Sequence, residues 1–166
     1  FEQISPKLLI GCDGYHYGGR RFETLARLAE IRAGLPEVAA TLVIPVLGPA
    51  PDLEALPDGR PAPGRRTPAT PRAPEFERLP FEAPLYVMFS SGTTGKPKCI
   101  VHGHGGTLLQ QRKEHALHCD LGPEDALLFF TTTGWMMWNW LVSALARGTT
   151  VALYDGSPFH PDPGVL

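Results

Sequence analysis

The sequence predicts an α/β protein built on a layered, parallel-rich sheet with flanking helices. Two segments, residues 7–46 and 126–154, each show the pattern of a strand, a helix and a second strand. Their strands are short and nearly continuous apolar runs, which is typical of parallel strands covered on both faces. Because 43% of the 166 residues are hydrophobic, the chain can bury a core.

The first strand, helix and strand occupy residues 1–47. The predicted elements are a strand over 7–12, a helix over 20–33 and a strand over 41–46. Gly34 and Pro36 supply the stop signals that end the helix. The glycine-rich residues 11–19 lack the Gly-x-Gly-x-x-Gly spacing of a dinucleotide loop, so we interpret them as a strand-to-helix turn.

Residues 48–84 predict a proline-rich loop. Most of the 18 prolines lie there, with little hydrophobic periodicity. Residues 65–71 match Arg-x-x-Pro-x-x-Pro, the pattern of a polyproline II segment that docks in an SH3-type groove. A plain surface loop is the alternative, because proline-rich segments match so short a pattern by chance.

Residues 85–166 contain the remaining predicted elements. These are strands over 85–89, 99–102, 126–131 and 149–154, and helices over 104–119 and 135–146. The last helix has an apolar stripe at helical spacing that predicts a core face. The stripe consists of Trp138, Leu141, Val142 and Leu145.

Charge and cysteine content exclude several classes of protein. Fifteen basic against 17 acidic residues give a net charge of -2, which leaves no basic surface for nucleic acid. Three cysteines without a Cys-x-x-Cys pair predict free thiols in a reducing, cytoplasmic compartment. No apolar run is long enough to predict a membrane span. The first residue is Phe1 rather than Met, so we expect the chain to be an internal part of a longer protein.

The strongest chemical signal is the loop over residues 90–98, which combines hydroxyls, glycines and two lysines and has no large apolar side chain. Glycines let backbone N–H groups approach an anion, hydroxyls donate to phosphate oxygens, and lysines neutralise charge. The loop therefore predicts a polyphosphate site, with an ordinary Ser- and Thr-rich turn as the alternative. It is not a Walker A loop, because only two residues separate Gly92 from Gly95 and Pro97 follows Lys96. The apolar residues 99–101 predict that it joins two strands, so a helix dipole does not hold the anion.

Every position of residues 90–98 fits [Ser/Thr]-[Ser/Thr]-Gly-[Ser/Thr]-Thr-Gly-x-Pro-Lys, the signature of the acyl-adenylate-forming enzymes. The chain thus resembles this family of AMP-dependent synthetases and ligases, and residues 100–106 and 131–139 are most similar to its members that activate acetoacetate. The resemblance implies that the chain is a partial large domain of such an enzyme. ATP and the carboxylate would give an acyl-adenylate and pyrophosphate, and coenzyme A would then displace AMP.

The resemblance also implies roles for individual residues. The loop would bind the β- and γ-phosphates of ATP, accompanied by Mg2+, through Ser90, Ser91, Gly92, Thr93, Thr94, Gly95, Lys96 and Lys98. Its contribution would be electrostatic stabilisation of the departing pyrophosphate. The resemblance places an aromatic residue against the acyl group, which here is Trp135, and Asn139 would donate to a small oxo-acid. Met136 or Met137 is the alternative pocket wall, and a buried Trp135 with a solvated Asn139 is the structural alternative.

The sequence predicts different environments for the histidines. The resemblance implies that His102 orders the strand-to-helix junction beside the nucleotide. We do not predict a metal site from Cys99, His102 and His104, because no fourth ligand is in sight. His115 and His118 lie in a charged stretch, residues 112–118, which predicts a solvated helix face.

Three further motifs of the family are absent from these 166 residues: a Tyr-Gly-x-Thr-Glu segment, the ribose-binding Asp and the lysine of a mobile carboxy-terminal domain. Without them the first step should lose most of its rate, so we predict that this chain alone is inactive. A ligase for acetate or propionate is one alternative function. A non-catalytic nucleotide-binding or SH3-docking module is the other.

Overall fold

The computed structural model describes residues 1–63, 73–90 and 95–166. The predicted docking peptide over 65–71 therefore lies outside the described residues, as do Ser91, Gly92, Thr93 and Thr94. In chain order the elements are β1 (Leu8–Cys12), β2 (Gly14–Tyr17), β3 (Arg20–Glu23), α1 (Leu25–Ala33), β4 (Ala40–Ile44), β5 (Gly59–Pro61), β6 (Pro84–Ser90), β7 (Lys98–Gly103), α2 (His104–Lys113), β8 (Ala126–Leu128), α3 (Met136–Ser143) and β9 (Thr150–Ala152). The chain divides into two units, residues 1–73 with 156–166, and residues 74–155.

The first unit is built on a parallel sheet with the strand order β1, β4, β5. Helix α1 connects β1 to β4, which confirms the predicted parallel strand, helix and strand. Leu28 of α1 packs with Val43 and Leu56 in the core of this unit. Strand β5 lies inside the segment predicted as loop, so part of that segment pairs with the sheet.

Cover on both faces of this sheet was expected from its apolar strands, and in the described chain only one face is covered. Leu8, Ile10 and Ile44 alternate with the core positions and are 47%, 57% and 46% exposed. Helix α1 packs on the other face, where Leu28 contacts Val43. The alternation follows from the two-residue period of a strand.

The predicted helix over 20–33 and the predicted turn over 11–19 are both wrong in their first part. Strands β2 and β3 form an antiparallel hairpin, with Gly14 opposite Glu23, and α1 begins only at Leu25. Tyr15 and Phe22 face each other across the hairpin with ring centroids 5.2 Å apart. This cross-strand aromatic pair stabilises the hairpin at residues whose spacing also fits a helix.

Asp13 joins the hairpin to the sheet. Its Oδ1 accepts hydrogen bonds from the backbone N–H groups of Val46 at 2.7 Å and Leu47 at 3.1 Å. Burial raises the pKa of this carboxyl, but these backbone donors outweigh burial and leave the pKa below its ordinary value of 3.8. The ionised carboxylate is therefore the form that holds the segment after β4 in place.

Asp13→Asn is expected to lower the free energy of unfolding at neutral pH by about 2 kcal/mol, because an amide accepts these bonds less strongly and brings an unwanted donor. A carboxyl whose pKa is lower in the folded state stabilises the protein above its unfolded pKa. The difference between wild type and variant should thus be constant near neutrality and shrink as the pH falls below 3.8. Urea unfolding at several pH values measures it. Asp125→Asn, which removes an exposed carboxylate that accepts from Gly122 N–H, is the control and should change stability by about 0.5 kcal/mol or less.

The second unit contains an antiparallel hairpin and a parallel pair of strands. Strands β6 and β7 pair with Ser90 opposite Lys98, which confirms that the loop joins two strands. The first N–H groups of α2 donate to the turn before β6, His104 to Ala83 and Gly105 to Phe81, both at 2.9 Å. These two N–H groups are therefore bonded within the protein.

Strands β8 and β9 precede and follow α3 in the sequence and pair in parallel. This pairing confirms the second predicted unit of a strand, a helix and a strand. The elements are shorter than predicted: β8 ends at Leu128, and α3 begins at Met136 after Trp135, which has an extended backbone. Leu141 is buried as expected, whereas Leu145 is 59% exposed and does not belong to the predicted core stripe. Leu145 lies in a 3-10 turn, Ala144–Arg147, whose tighter period rotates it away from the face of α3. Among the described residues, no helix has both the length and the apolar character needed to cross a membrane.

Candidate functional site

One face of the hairpin formed by β6 and β7 brings together residues predicted from separate motifs. Directly opposite residues of an antiparallel pair project from the same face, as do alternate residues along a strand. The pairs Ser90–Lys98, Met88–Ile100 and Tyr86–His102 therefore share this face, which we call the site face. Ser90 and Lys98, predicted in the phosphate loop, and His102, predicted from the next motif, all belong to it.

The described part of the predicted phosphate loop is its base, which consists of Ser90 and residues 95–98. Strand β6 ends at Ser90 and β7 starts at Lys98, so the backbone positions of both residues are fixed by the ladder. Gly95 has φ +90, and an added Cβ would meet no atom of the described chain within 4 Å. Its need for glycine is therefore conformational rather than steric. Lys96 and Lys98 are both exposed, as cations that meet a soluble anion must be.

Helix α3 reaches the site face through Asn139. Its Nδ2 donates a hydrogen bond to the thioether Sδ of Met88, at 3.8 Å. Met88 precedes Ser90 by two residues, which is about 7 Å along the strand. The contact places the residue predicted to bind the acyl group beside the strand that leads into the phosphate loop. Met88 was not predicted as a site residue, and its alternation with Ser90 along the strand is the signal in the sequence that could have indicated it.

The other predicted acyl-site residues are open to solvent in the described chain. Trp135 is 65% exposed and Met136 is 54% exposed, so neither side chain belongs to the core of the described residues. Asn139 is half-buried, and the solvated alternative does not describe it. His102 lies near the far end of β7, about 13 Å along the strand from Lys98, and is exposed.

The glycines of the helix start have different surroundings. An added Cβ on Gly105 would lie 2.1 Å from the Phe81 ring, so glycine is needed here because Phe81 packs directly on the start of the helix. Gly106 faces open space. In the described residues, no group of three or more His, Cys, Asp or Glu side chains is placed to hold a metal ion.

His115 contacts residues of α3, and the prediction that it lies on a solvated helix face is wrong. The side chain is fully buried, with Nε2 at 2.9 Å from both the Trp140 carbonyl and Ser143 Oγ. A carbonyl can only accept, so Nε2 carries the hydrogen and donates it. The imidazole also packs on the Trp140 ring at 4.7 Å.

The charged neighbours of His115 concealed its burial. Helix α2 continues into a π-helical turn, Glu114–His118, which widens the helix at this point. The inward face of α2 is formed by small and polar residues such as Gly105 and Thr107, whereas Leu108 and Leu109 are 51% and 62% exposed. An amphipathic interpretation therefore selects the wrong face.

His115→Ala is expected to lower the free energy of unfolding by about 3 kcal/mol, because it leaves a cavity and removes the donor to the Trp140 carbonyl. His118→Ala is the matched control, because His118 lies in the same turn but is exposed, and its loss should cost less than about 0.5 kcal/mol. Chemical denaturation of the full-length protein measures both. Equal effects of the two substitutions would contradict the buried position of His115.

The chain belongs to the AMP-binding enzyme family, which matches it over residues 1–166. This finding confirms the family that the loop signature indicated.

Individual proteins of known name also match this chain along nearly its whole length. The chain is 50% identical to an acetoacetyl-coenzyme A synthetase of Rhizobium meliloti (strain 1021), covering 100% of this chain and 25% of that protein. It is 45% identical to the malonamoyl-CoA synthetase vrtB of Penicillium aethiopicum, covering 97% of this chain and 23% of that protein. The solved structure of an acetoacetyl-CoA synthetase from Streptomyces lividans superposes with a TM-score of 0.85 at 46% identity, over 96% of this chain and 24% of that one. The chain thus spans about a quarter of the length of these relatives.

Proposed function

We propose that this chain is part of an acid–thiol ligase that activates acetoacetate with ATP and transfers the acyl group to coenzyme A. The observation that carries the proposal is the similarity along the whole chain to acetoacetyl-CoA synthetases, at 50% identity for the Rhizobium protein. The site face is consistent with it, because Ser90 and Lys98 lie next to the strand position that contacts Asn139.

In the first half-reaction the carboxylate oxygen attacks the α-phosphorus of ATP, and pyrophosphate leaves. Negative charge builds up on the pyrophosphate as its bond breaks. Lys98 and the Ser90 hydroxyl, fixed at the loop base, would stabilise that charge, and Lys96 would add a second cation. In the second half-reaction the thiol sulfur of coenzyme A attacks the acyl carbon and AMP leaves.

We propose that the magnesium ion arrives with the substrate, bound to the phosphates of ATP. The described residues of the loop base supply no carboxylate, the ligand type that Mg2+ favours besides phosphate and water. This chain's share in catalysis is therefore the positioning of the phosphates by hydroxyl and ammonium groups.

A close substrate alternative is malonamate, since one relative is named a malonamoyl-CoA synthetase. Acetoacetyl and malonamoyl groups both carry a carbonyl at C3. The shared class of substrate is therefore a short 3-oxo carboxylic acid, and acetate and propionate lack this feature.

The test is carboxylate-dependent ATP–pyrophosphate exchange by the full-length protein with acetoacetate, malonamate, acetate and propionate. We expect kcat/KM for acetoacetate to exceed that for acetate at least about tenfold, which corresponds to about 1.4 kcal/mol of transition-state binding. If acetate or propionate reacts faster, the enzyme is another short-chain ligase. If malonamate is preferred, the reaction class stands and the substrate changes.

A further inference from the structure

We propose that Met88 is a positioning residue that orients the Asn139 carboxamide and thereby favours 3-oxo acids over saturated acids. The proposal rests on the proposed function and extends it to a residue that the loop signature does not include. Met88 lies on β6 within the site face, and Asn139 lies on α3. A hydrogen bond between them directly links the helix that carries the predicted acyl-site residues to the strand that leads into the predicted phosphate loop.

The chemistry of the thioether fixes which end of the amide faces the strand. A methionine sulfur has lone pairs but no hydrogen, so it can accept and cannot donate. The Asn139 amide must therefore turn its Nδ2 toward Sδ, where the two atoms are 3.8 Å apart. The reversed amide would place the Oδ1 lone pairs against the sulfur lone pairs and lose the bond.

One hydrogen of Nδ2 is used by the sulfur and the second is available. The carbonyl at C3 of a 3-oxo acid is an acceptor and needs such a donor, whereas the methylene of butyrate at the same position needs none. A site that presents a donor also disfavours the analogue without an acceptor, because the donor is then left unpaired. Met88 would act by keeping the amino end of the carboxamide turned toward β6.

Position and burial support a fixed rather than a fluctuating contact. Met88 and Asn139 are both half-buried. Met88 is held in the β ladder opposite Ile100. Asn139 lies in α3, and the same helix is held in place by its buried residue Leu141. Each partner therefore has a backbone position set by its own element.

The experiment measures kcat/KM for acetoacetate and for butyrate in the full-length enzyme and reports their ratio, the oxo preference. Because both substrates are tested on the same sample, the fraction of active enzyme cancels. Asn139→Leu should lower the oxo preference about twentyfold and Met88→Leu about fivefold, the range expected for a lost neutral donor and for a misoriented one. The double variant should equal Asn139→Leu, because Met88 acts through Asn139.

Two further variants separate orientation from packing. Met88→Gln offers an amide oxygen as acceptor and should keep the oxo preference within about twofold of wild type, and it also serves if Met88→Leu does not fold. Val87→Ile changes the neighbouring residue on the opposite face of β6 and should leave the oxo preference unchanged.

An unchanged oxo preference in Met88→Leu would overturn the proposal, as would a double variant that falls well below Asn139→Leu. A loss in Met88→Gln equal to that in Met88→Leu would also overturn it, because only packing would then matter. Failure of the proposed function looks different: wild-type enzyme would then show no exchange with acetoacetate.

Discussion

Replacing Gly95 by alanine is expected to lower acetoacetate-dependent ATP–pyrophosphate exchange of the full-length protein about a hundredfold, the scale of losing a preorganised donor to developing charge. Gly95 has φ +90, a backbone conformation that costs an alanine about 1–2 kcal/mol. The variant can relieve that strain by changing the backbone conformation of residue 95. Because Gly95 lies between the base residues Ser90 and Lys98, such a change redirects the loop and its phosphate donors.

Gly18→Ala provides a matched control for Gly95→Ala. Gly18 also has positive φ, +56, and its added Cβ would also meet nothing within 4 Å. It lies in the turn of the β2–β3 hairpin, outside the loop. The two variants should therefore lose similar stability, while only Gly95→Ala loses exchange activity. Comparable activity losses would show that strain in general, and not the loop conformation, limits the reaction.

Features that are local in sequence were predictable. The loop that joins two strands was predicted because an apolar run follows its contiguous hydroxyls, glycines and lysines, and its role in binding phosphate stays a prediction. The parallel strands were predicted because their apolar runs are continuous. The β2–β3 hairpin was missed because Phe22 satisfies a helical spacing with Leu25 and also pairs with Tyr15 across the hairpin. Single-sequence periodicity cannot decide between these two when tertiary pairing favours the strand.

Features that depend on distant contacts were not predictable. Met88 and Asn139 are 51 residues apart, and nothing in either local pattern announces their contact. His115 has charged neighbours, and its burial depends on Trp140 and Ser143, which belong to another helix. Met88 and His115 both contact residues of α3 from other elements of the chain. Such contacts between elements are determined by the fold and not by a local motif.

Replacing Lys98 by methionine is expected to lower kcat/KM for ATP in the exchange reaction about a hundredfold while leaving stability nearly unchanged. Lys98 starts β7 opposite Ser90, so its backbone cannot move with the loop and its side chain projects from the site face. Methionine keeps the length of the aliphatic stem and removes the charge. The charge matters most when pyrophosphate departs, so kcat should fall more than the KM for ATP rises.

Lys113→Met is the control for the loss of a lysine charge. Its Nζ lies 3.0 Å from Glu114 Oε1 in a partly exposed pair at the end of α2, and such pairs contribute about 0–1 kcal/mol to stability. Exchange activity of this variant should stay within about twofold of wild type. The half-reactions add a second discrimination, because preformed acyl-adenylate contains no pyrophosphate. Lys98→Met enzyme supplied with acetoacetyl-adenylate should therefore form the coenzyme A thioester at nearly the wild-type rate, and a loss in that step would place Lys98 outside the phosphate site.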